Sequence, residues 1–555
     1  MKKDFFALIF VVNDHANFHL SGLCKLRSLQ ELDISRNSLK GSIPPCISNL
    51  TSLRLLELSE NNLGGTIPSD LLRLKSLEYL SLSLNHFEGS ISLSSFANNS
   101  NLEVLELDSL NNELHVDTEN TPWKPLFQLK VLRLSNCKIN EPTRSIPSFL
   151  LTQRELRVVN LSYNAMVGEV PTWLLNNNTR LEFLSLAENS FTGQFVLPAD
   201  FKNLDLFWLD MWKNDIQGPL PASIGHILPN LQYLNMSRNS FHGSIPPSIG
   251  NMSKLYSLDL SSNNFTGELP EHFVMGCKEL TTLKLSHNNL QGQLFLRKWN
   301  LTSVRFLRKQ MIKPLRLMSD EYGWTAYRSF RSYEYQSILG VNHQYVEAGF
   351  YSSDVAEEIE FISKSRSESY TGNILYFMSG IDLSMNKFAG PIPPELGFLS
   401  DIHTLNLSHN QMNGSIPRTF SNLKQIQSLD LSDNKLSGEI PSDLVQLNFL
   451  SVFSVANNNL SGRTPDRKAQ FATFEASSYE GNPFLCGLLL EENCRRSNAI
   501  SDPNPGENDL FKDSFLETFV PSCIVAFLGV VAFIYFNPSC RMLFQFVEAK
   551  LLSSI

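Results

Sequence analysis

The stretch that decides the fold is Leu29-Gln-Glu-Leu-Asp-Ile-Ser-Arg-Asn-Ser-Leu-Lys-Gly-Ser-Ile-Pro44. Its pattern, Leu-x-x-Leu-x-Leu-x-x-Asn-x-Leu-x-Gly-x-Ile-Pro, recurs about every 24 residues along most of the chain. The asparagine of the pattern falls at Asn37, Asn61, Asn85, Asn164, Asn189, Asn214, Asn239, Asn263, Asn288, Asn386, Asn410, Asn434 and Asn458. Cys137 takes that place once, and the copy from Leu102 to Asn112 is degenerate.

A repeat of this period, with leucines at fixed offsets, is typical of a leucine-rich-repeat solenoid, here of about fifteen coils. In the first copy, strand alternation turns Leu32 and Ile34 into the core and Asp33 outward. The asparagine turns the chain at the strand end, where we expect its side chain to bond backbone groups of neighbouring coils. The fold class predicted is therefore an α/β repeat solenoid, a curved superhelix with a parallel β-sheet on its concave face.

Length and charge exclude several classes of protein. A solenoid grows by adding coils, so 555 residues need not form several domains. The formal net charge of −9, and the lack of a basic stripe with interleaved aromatics, argue against a nucleic-acid-binding protein. The eleven histidines are scattered, and the sequence holds no glycine-rich phosphate loop, no His-Glu-x-x-His and no Gly-x-Ser-x-Gly. We therefore predict no catalytic residue, no metal site and no cofactor.

The cysteines and glycosylation sequons indicate an oxidising compartment. Cys486 and Cys494 follow the last repeat, where a solenoid needs a cap, and are predicted to form a disulfide. Cys24 and Cys46 occupy nearly equivalent places in neighbouring coils; they either bridge or are two small buried hydrophobic side chains. Some sequons arise merely because Leu-Asn-Leu-Ser belongs to the repeat. The glycosylation sites predicted are Asn49, Asn98, Asn177, Asn251, Asn264 and Asn300.

A membrane span is predicted near the C-terminus. Residues 518–540 carry no charge and are long enough to cross a bilayer as a helix. Acidic residues precede this stretch, while Arg541 and Lys550 follow it. The basic bias places the tail, 541–555, in the cytoplasm and the repeats outside, which predicts a single-pass type I protein of the plasma membrane. Such a short tail cannot hold a kinase domain.

Two regions depart from the regular pattern. The N-terminal residues 1–22 form at best a poor signal-like leader, and the first coil follows without a paired-cysteine cap. We therefore expect the first coil to be the weak end of the solenoid. The repeats also break after Val304, where Lys309 and Lys313 replace the asparagine and glycine. An aromatic-rich segment follows until Ile381, too aromatic for a typical disordered linker.

This order of parts closely resembles plant leucine-rich-repeat receptor-like proteins, which lack a kinase and cross the membrane once. The resemblance rests on the Gly-x-Ile-Pro repeats and on the aromatic-rich segment, called the island, that lies four repeats before the end. It also rests on Asn406-Leu-Ser-His-Asn410 and Gly481-Asn-Pro-Phe-Leu-Cys486-Gly. It implies perception of an extracellular peptide, protein or glycan in defence or development, with signalling through single-pass adaptor or co-receptor kinases. The departures at the N-terminus and after Val304 favour a truncated version of such a protein.

The domain boundaries follow from the repeats and the resemblance. They are a leader (1–22), leucine-rich repeats (23–298), an island (299–379), four further repeats (380–465), a cysteine cap with an acidic juxtamembrane segment (466–517), a transmembrane helix (518–540) and a cytoplasmic tail (541–555).

The candidate ligand-binding residues are aromatic. Phe183, Trp208 and Tyr233 hold one outward strand position in three consecutive coils, and Asp210 and Trp212 follow Trp208 on its strand. Because adjacent strands lie about 4.8 Å apart, these side chains are predicted to form one exposed patch that anchors a ligand. The alternative is that large outward side chains simply cover one another or face glycans. At the level of function, the alternative to a receptor is a non-signalling binder, a decoy or an enzyme-inhibitor-like solenoid.

Overall fold

The computed structural model describes residues 7–9, 20–119, 123–197, 203–270, 273, 276–294, 358–363, 366–371 and 379–490. All of them belong to the first of the two units into which the chain divides, Met1–Cys494.

The main feature of the fold is one parallel sheet of 16 strands, each strand contributed by a successive coil. We call its outward side the concave face. In order, the strands are β1 (Ala7–Ile9), β2 (Glu31–Asp33), β4 (Leu55–Glu57), β6 (Tyr79–Ser81), β8 (Val104–Glu106), β10 (Val131–Arg133), β12 (Val158–Asn160), β14 (Phe183–Ser185), β16 (Trp208–Asp210), β18 (Tyr233–Asn235), β20 (Ser257–Asp259), β22 (Thr282–Lys284), β26 (Gly380–Asp382), β28 (Thr404–Asn406), β30 (Ser428–Asp430) and β32 (Val452–Ser454).

Shorter parallel sheets form beside the main sheet, where the Gly-x-Ile-Pro part of each repeat turns the chain. One comprises β3 (Lys40–Gly41), β5 (Asn62–Thr66), β7 (His86–Ser92), β9 (Leu114–Asp117) and β11 (Lys138–Ile139). A second pairs β13 (Val167–Glu169) with β15 (Ser190–Thr192). A third comprises β17 (Gln217–Gly218), β19 (Ser240–Gly243), β21 (Asn264–Gly267), β23 (Asn289–Gln293), β27 (Lys387–Pro391), β29 (Gln411–Gly414), β31 (Lys435–Gly438), β33 (Asn459–Arg463) and β34 (Phe484–Cys486).

Short helices return the chain on the side opposite the main sheet. Among the helices that the structure describes in full, two are α-helices, α1 (Trp173–Asn177) and α2 (Ile224–Ile227). The 3₁₀ helices span Leu20–Lys25, Pro45–Asn49, Leu71–Arg73, Leu93–Phe96, Ser148–Thr152, Pro247–Asn251, Pro394–Phe398, Arg418–Asn422, Ser442–Gln446, Ala469–Ala472 and Ala476–Ser478. Between sheet and helices the repeat leucines, such as Leu56, Leu209 and Leu429, are fully buried in one continuous core.

The asparagine ladder predicted from the repeat is confirmed. The Asn61 amide group donates to the carbonyls of Ile34, Leu58 and Ser59 at 3.0–3.1 Å, and its Oδ1 accepts from Leu39 N–H at 3.1 Å. Each asparagine therefore joins two coils and satisfies buried backbone groups that no strand reaches. Where Cys137 replaces the asparagine, its thiol lies 3.4 Å from the carbonyls of Leu107 and Ser135. Burial raises the pKa of this thiol, so it stays protonated and can donate weakly to both.

The main sheet continues without a break across the island. β22 pairs directly with β26, with Leu283 opposite Ile381. The asparagine ladder crosses the same junction, since Leu290 N–H donates to Asn386 Oδ1 at 3.0 Å. Within the island, β24 (Glu358–Ser363) and β25 (Arg366–Thr371) form an antiparallel pair. The segment is therefore an insertion between two coils that stack as neighbours.

The first repeat is not the edge of the main sheet, and its expected low stability stays a prediction. β1 adds a parallel strand beyond the first repeat, with Leu8 opposite Leu32. A disulfide also joins Cys24 to Cys46, with Cα atoms 5.6 Å apart, and links the first two coils. The disulfide is one of the two alternatives that the sequence left open, whereas β1 was missed because it is short and lacks the repeat pattern.

Several predictions concern the C-terminal part of the chain. Cys486 is disulfide-bonded, while Cys494 lies outside the described residues. The predicted membrane helix, 518–540, and the tail, 541–555, also lie outside them. In the part of the chain that the structure does describe, no helix has the length and apolar character needed to span a membrane.

Candidate functional site

The aromatic column predicted on the concave face is present. Phe183 lies opposite Trp208, and Trp208 opposite Tyr233, on adjacent parallel strands. The rings of Phe183 and Trp208 are stacked with centroids 5.6 Å apart, and those of Trp208 and Tyr233 with centroids 3.8 Å apart. The short strand spacing therefore brings three flat side chains into one continuous stack.

The expectation that this column is exposed is wrong. Trp208 is 9% exposed, and Phe183 and Tyr233 are each 4% exposed. They belong to a longer buried band on the same strand position, which also includes Leu55, Tyr79, Val104, Val131 and Val158. Rings that stack at nearly the strand spacing cover each other's faces, so little ring surface remains for a ligand. Burial also leaves Trp208 Nε1 without a hydrogen-bond partner.

Trp212 is, with Asp210, one of the two members of the predicted patch that are only partly buried. It is partly exposed and meets the ring of Tyr163 edge-on at 6.4 Å between centroids. Lys213 Nζ and the Arg238 guanidinium lie 5.7 and 6.0 Å from its ring centroid. The indole is therefore held by an aromatic neighbour and two cations, a fixed arrangement suited to an anchoring contact.

Polar side chains follow the aromatic column in a regular two-residue pattern. In coils where the second outward strand residue is Asp or Asn, a serine two residues on donates both its N–H and its hydroxyl to the Oδ1 atom. Asp259 receives these bonds from Ser261 at 2.9 and 2.6 Å, and Asn235 receives them from Ser237 at 3.0 and 2.6 Å. These side chains are thus fixed by their own coil.

Asp210 departs from that pattern. Trp212 stands where the serine would be, so Asp210 Oδ1 accepts only the Trp212 N–H, at 3.0 Å. Burial raises the pKa of Asp210 to about 7, the Trp212 bond lowers it in part, and the charge of Asp259 raises it further. The carboxyl group can therefore accept a further donor, and its charge changes near neutral pH.

The residues around Trp212 that sequence reasoning missed are Tyr163, Ala187, Lys213 and Arg238. The sequence does contain a pattern that points to Ala187 and Trp212. The third outward strand position is serine in most coils, but it is alanine at 187 and tryptophan at 212. Departures from a repeat consensus that fall in adjacent coils point to a locally specialised surface.

Several other polar groups on the concave face are paired within the protein, although the buried hydroxyls of Ser59 and Ser81 have no hydrogen-bond partner. Arg133 Nε lies 2.8 Å from Asp108 Oδ2 with both side chains buried, and the Tyr79 hydroxyl donates to Glu57 at 2.7 Å. No group of three His, Cys, Asp or Glu side chains suited to a metal ion occurs among the described residues. The N-terminal half of the face is therefore fixed by internal hydrogen bonds.

The predicted glycosylation sites that the structure describes lie away from the concave face. Asn49, Asn98, Asn251 and Asn264 are exposed, Asn177 is partly buried, and Asn300 lies outside the described residues. By contrast, the sequon asparagines within the main sheet, Asn160, Asn235 and Asn406, are buried. The exposed sites leave the surface around Trp212 clear.

Comparison with known families agrees with the repeat. A family model described as leucine rich repeat matches residues 27–87 and 381–436, and a second model of the same description matches 230–252 and 254–274.

Similar proteins are named as receptors. Receptor-like protein 13 of Arabidopsis thaliana is 46% identical over 285 residues, which cover 51% of this chain and 26% of that protein. Cuscuta receptor 1 of Solanum lycopersicum is 31% identical over an alignment of 722 positions, which covers 95% of this chain and 64% of that protein. The chain thus spans less than two thirds of the length of these relatives.

Among solved structures, the plant peptide hormone receptor RGFR1 in complex with RGF2 has the same fold. The TM-score is 0.56 at 24% identity, and the match covers 84% of this chain and 69% of that chain. The repeats, the fold and the relatives together establish that this chain is a leucine-rich-repeat protein homologous to the plant receptor-like proteins.

Proposed function

We propose that the chain is a cell-surface receptor-like protein that binds an extracellular ligand on its concave face and signals through a partner receptor kinase. The ligand meets the coils of β14, β16 and β18, with Trp212 and Asp210 as the contacts that remain accessible. Phe183, Trp208 and Tyr233 form the buried aromatic stack on the same strands and keep this surface rigid.

The observation that carries the proposal is the contrast between Trp212 and the rest of the concave face. Most outward side chains of the sheet are stacked, paired or bonded within their own coil. Trp212 is instead a partly exposed indole beside a carboxyl group with one hydrogen bond. Rigid aromatic side chains next to adaptable polar groups are the usual centres of binding energy at protein interfaces.

The relatives support the receptor part of the proposal by their names, Receptor-like protein 13 and Cuscuta receptor 1. Because the chain covers only part of each, ligand binding, plasma-membrane localisation and kinase partners are proposed for it. The predicted single-pass helix, 518–540, supplies the anchor in this proposal.

The first experiment tests the location. Full-length chain with an N-terminal and a C-terminal tag is expressed in plant cells, and intact cells are treated with protease. We expect loss of the N-terminal tag and protection of the C-terminal tag, together with removable N-linked glycans. Protection of both tags would contradict a receptor at the cell surface.

The second experiment tests the partner. The full-length chain is immunoprecipitated from the same cells alongside a variant whose residues 518–540 are replaced by an unrelated single-pass helix. We expect single-pass adaptor kinases to accompany the natural chain and to be reduced with the replaced helix. A surface-exposed chain with no kinase would favour the non-signalling binder.

A further inference from the structure

Two departures from the repeat consensus meet in adjacent coils of the concave face. The third outward position is serine in most coils. It is Asp108 and Ala456 in two separate coils, whereas Ala187 and Trp212 depart from serine in the adjacent coils of β14 and β16. The two coils are in register there, since Leu186 N–H donates to Asp210 C=O and Glu188 N–H donates to Trp212 C=O, each at 2.8 Å. Ala187 and Trp212 are therefore direct neighbours across the sheet.

The small side chain of Ala187 makes room for the indole. Tyr163 belongs to the coil beyond Ala187, because its N–H donates to the Ala187 carbonyl at 2.9 Å. Tyr163 and Trp212 are thus two coils apart, about 9.6 Å at the usual strand spacing. Their ring centroids nevertheless lie 6.4 Å apart, and Ala187 is only 2% exposed. The two rings therefore approach each other over the small side chain of Ala187.

The replacement of serine by Trp212 also changes the hydrogen bonding of Asp210. Asp33, Asp259, Asp382 and Asp430 each receive two hydrogen bonds from a serine two residues on. Asp210 receives one, and the hydroxyl that would provide the second is missing. Charged residues of both signs lie nearby: Lys213 and Arg238 approach the Trp212 ring, and Asp259 is close enough to raise the pKa of Asp210. Lys213 is itself paired with Glu188 at 2.7 Å.

We propose that the Asp210 carboxyl group accepts a hydrogen bond from an extended peptide segment of the ligand. Trp212 leaves this group without the usual serine hydroxyl, and the small Ala187 gives the indole the room to do so. The inference rests on the proposed function and names its ligand class. An extended peptide has backbone N–H groups without partners, and its side chains can pack against the indole. The two cations that approach the Trp212 ring reduce the free face on which a sugar would stack. Nearby charges of both signs suit a segment of low net charge.

The test uses the full-length chain on the cell surface and a phage library of random linear peptides as the probe. Peptides selected on the natural chain are measured on Asp210→Asn, Trp212→Ser, Ala187→Leu and the control Asp382→Asn, whose position keeps its two serine bonds. The asparagine at 210 places an N–H where a carboxylate oxygen was, so it opposes a donor. We expect each of the first three variants to lose about tenfold or more in affinity, and the control to lose little.

A pH series separates this role from a merely structural one. Affinity on the natural chain should rise as Asp210 ionises near pH 7, and Asp210→Asn should remove that dependence. Trp212→Ser restores a hydroxyl donor to Asp210, so the pH dependence of its residual binding should move to lower pH. Peptides that need Trp212 but bind Asp210→Asn equally well would overturn the inference and leave the proposed function standing. A library with no Trp212-dependent peptide would also overturn the inference, whereas the proposed function is decided separately by the location and partner experiments.

Discussion

The indole ring of Trp208 and the phenol ring of Tyr233 lie parallel to within 7°, with centroids 3.8 Å apart, on adjacent strands of the main sheet. Each ring covers a face of the other, and both are buried. The column that a sequence suggests as a binding surface is thus a second, outward-facing core. Its substitution should affect stability before it affects recognition.

We expect Trp208→Ala to lower the free energy of unfolding by about 3–5 kcal/mol, because it removes a large buried side chain from the middle of a stack. Trp208→Phe is the matched control, since Nε1 makes no hydrogen bond and the phenyl ring preserves stacking. Chemical denaturation of both variants checks this. Equal stability of Trp208→Ala and the natural chain would contradict the burial of this ring.

Asn410 represents the ladder in the last four coils. Its amide group donates to the carbonyls of Leu383, Leu407 and Ser408, and its Oδ1 accepts from Phe388 N–H, all at 3.0–3.1 Å. Asn410→Ala leaves buried backbone groups in two coils without hydrogen-bond partners and should lower the free energy of unfolding by about 3 kcal/mol. Asn413→Ala, an exposed change in the same coil, should stay within about 0.5 kcal/mol of the natural chain. Similar denaturation midpoints for the two variants would refute the ladder's role.

Gly225 lies where two coils pack closely on the helical side. A Cβ atom added there would fall 1.7 Å from the Ser248 carbonyl oxygen, which is backbone and cannot swing aside. Gly225→Ala should therefore force the coils apart and cost about 3 kcal/mol. The control is Gly22→Ala, where an added Cβ meets nothing within 4 Å. Thermal unfolding of both proteins measures the difference, and a neutral Gly225→Ala would mean that the coils can separate freely.

Asp210 makes stability depend on pH. Its pKa is raised from 3.8 to about 7 in the folded chain, so folding takes up a proton between those two values. The group's contribution to stability is fully present below about pH 4, falls as pH rises towards 7 and is constant above 7. Asp210→Asn should gain about 2–3 kcal/mol relative to the natural chain between pH 5 and pH 8, most of it below pH 7. Unfolding free energies at both pH values check this; a constant difference would contradict it.

Sequence reasoning predicted the features that every coil repeats. The sheet, the buried leucines and the asparagine ladder depend on contacts that recur at one period, so residues such as Leu56 and Asn61 are recognisable in each copy. The sheet also continues from Leu283 to Ile381 across the island because the pattern on both sides is the same.

Features that depend on the particular neighbour in the next coil were not predicted. The burial of Trp208 follows from Phe183 and Tyr233 standing on either side, and an outward strand position by itself says nothing of such cover. The buried ion pair of Arg133 with Asp108 likewise joins two coils through side chains outside the consensus. Trp212 reaches Tyr163 only because Ala187 is small. Comparing consensus departures between adjacent coils would have revealed the last of these.

The most direct test of ligand binding on the concave face is site-specific photo-cross-linking. Tyr163 is replaced by p-benzoylphenylalanine, which keeps an aromatic ring beside Trp212, and a second protein carries the same group at Leu151, which is 50% exposed and lies in a helix on the opposite side. Peptides selected from the random library on the full-length chain are irradiated with each. We predict cross-links from position 163 that Trp212→Ser abolishes, and none from position 151. Cross-links from position 151 alone would show that ligands bind elsewhere on the solenoid.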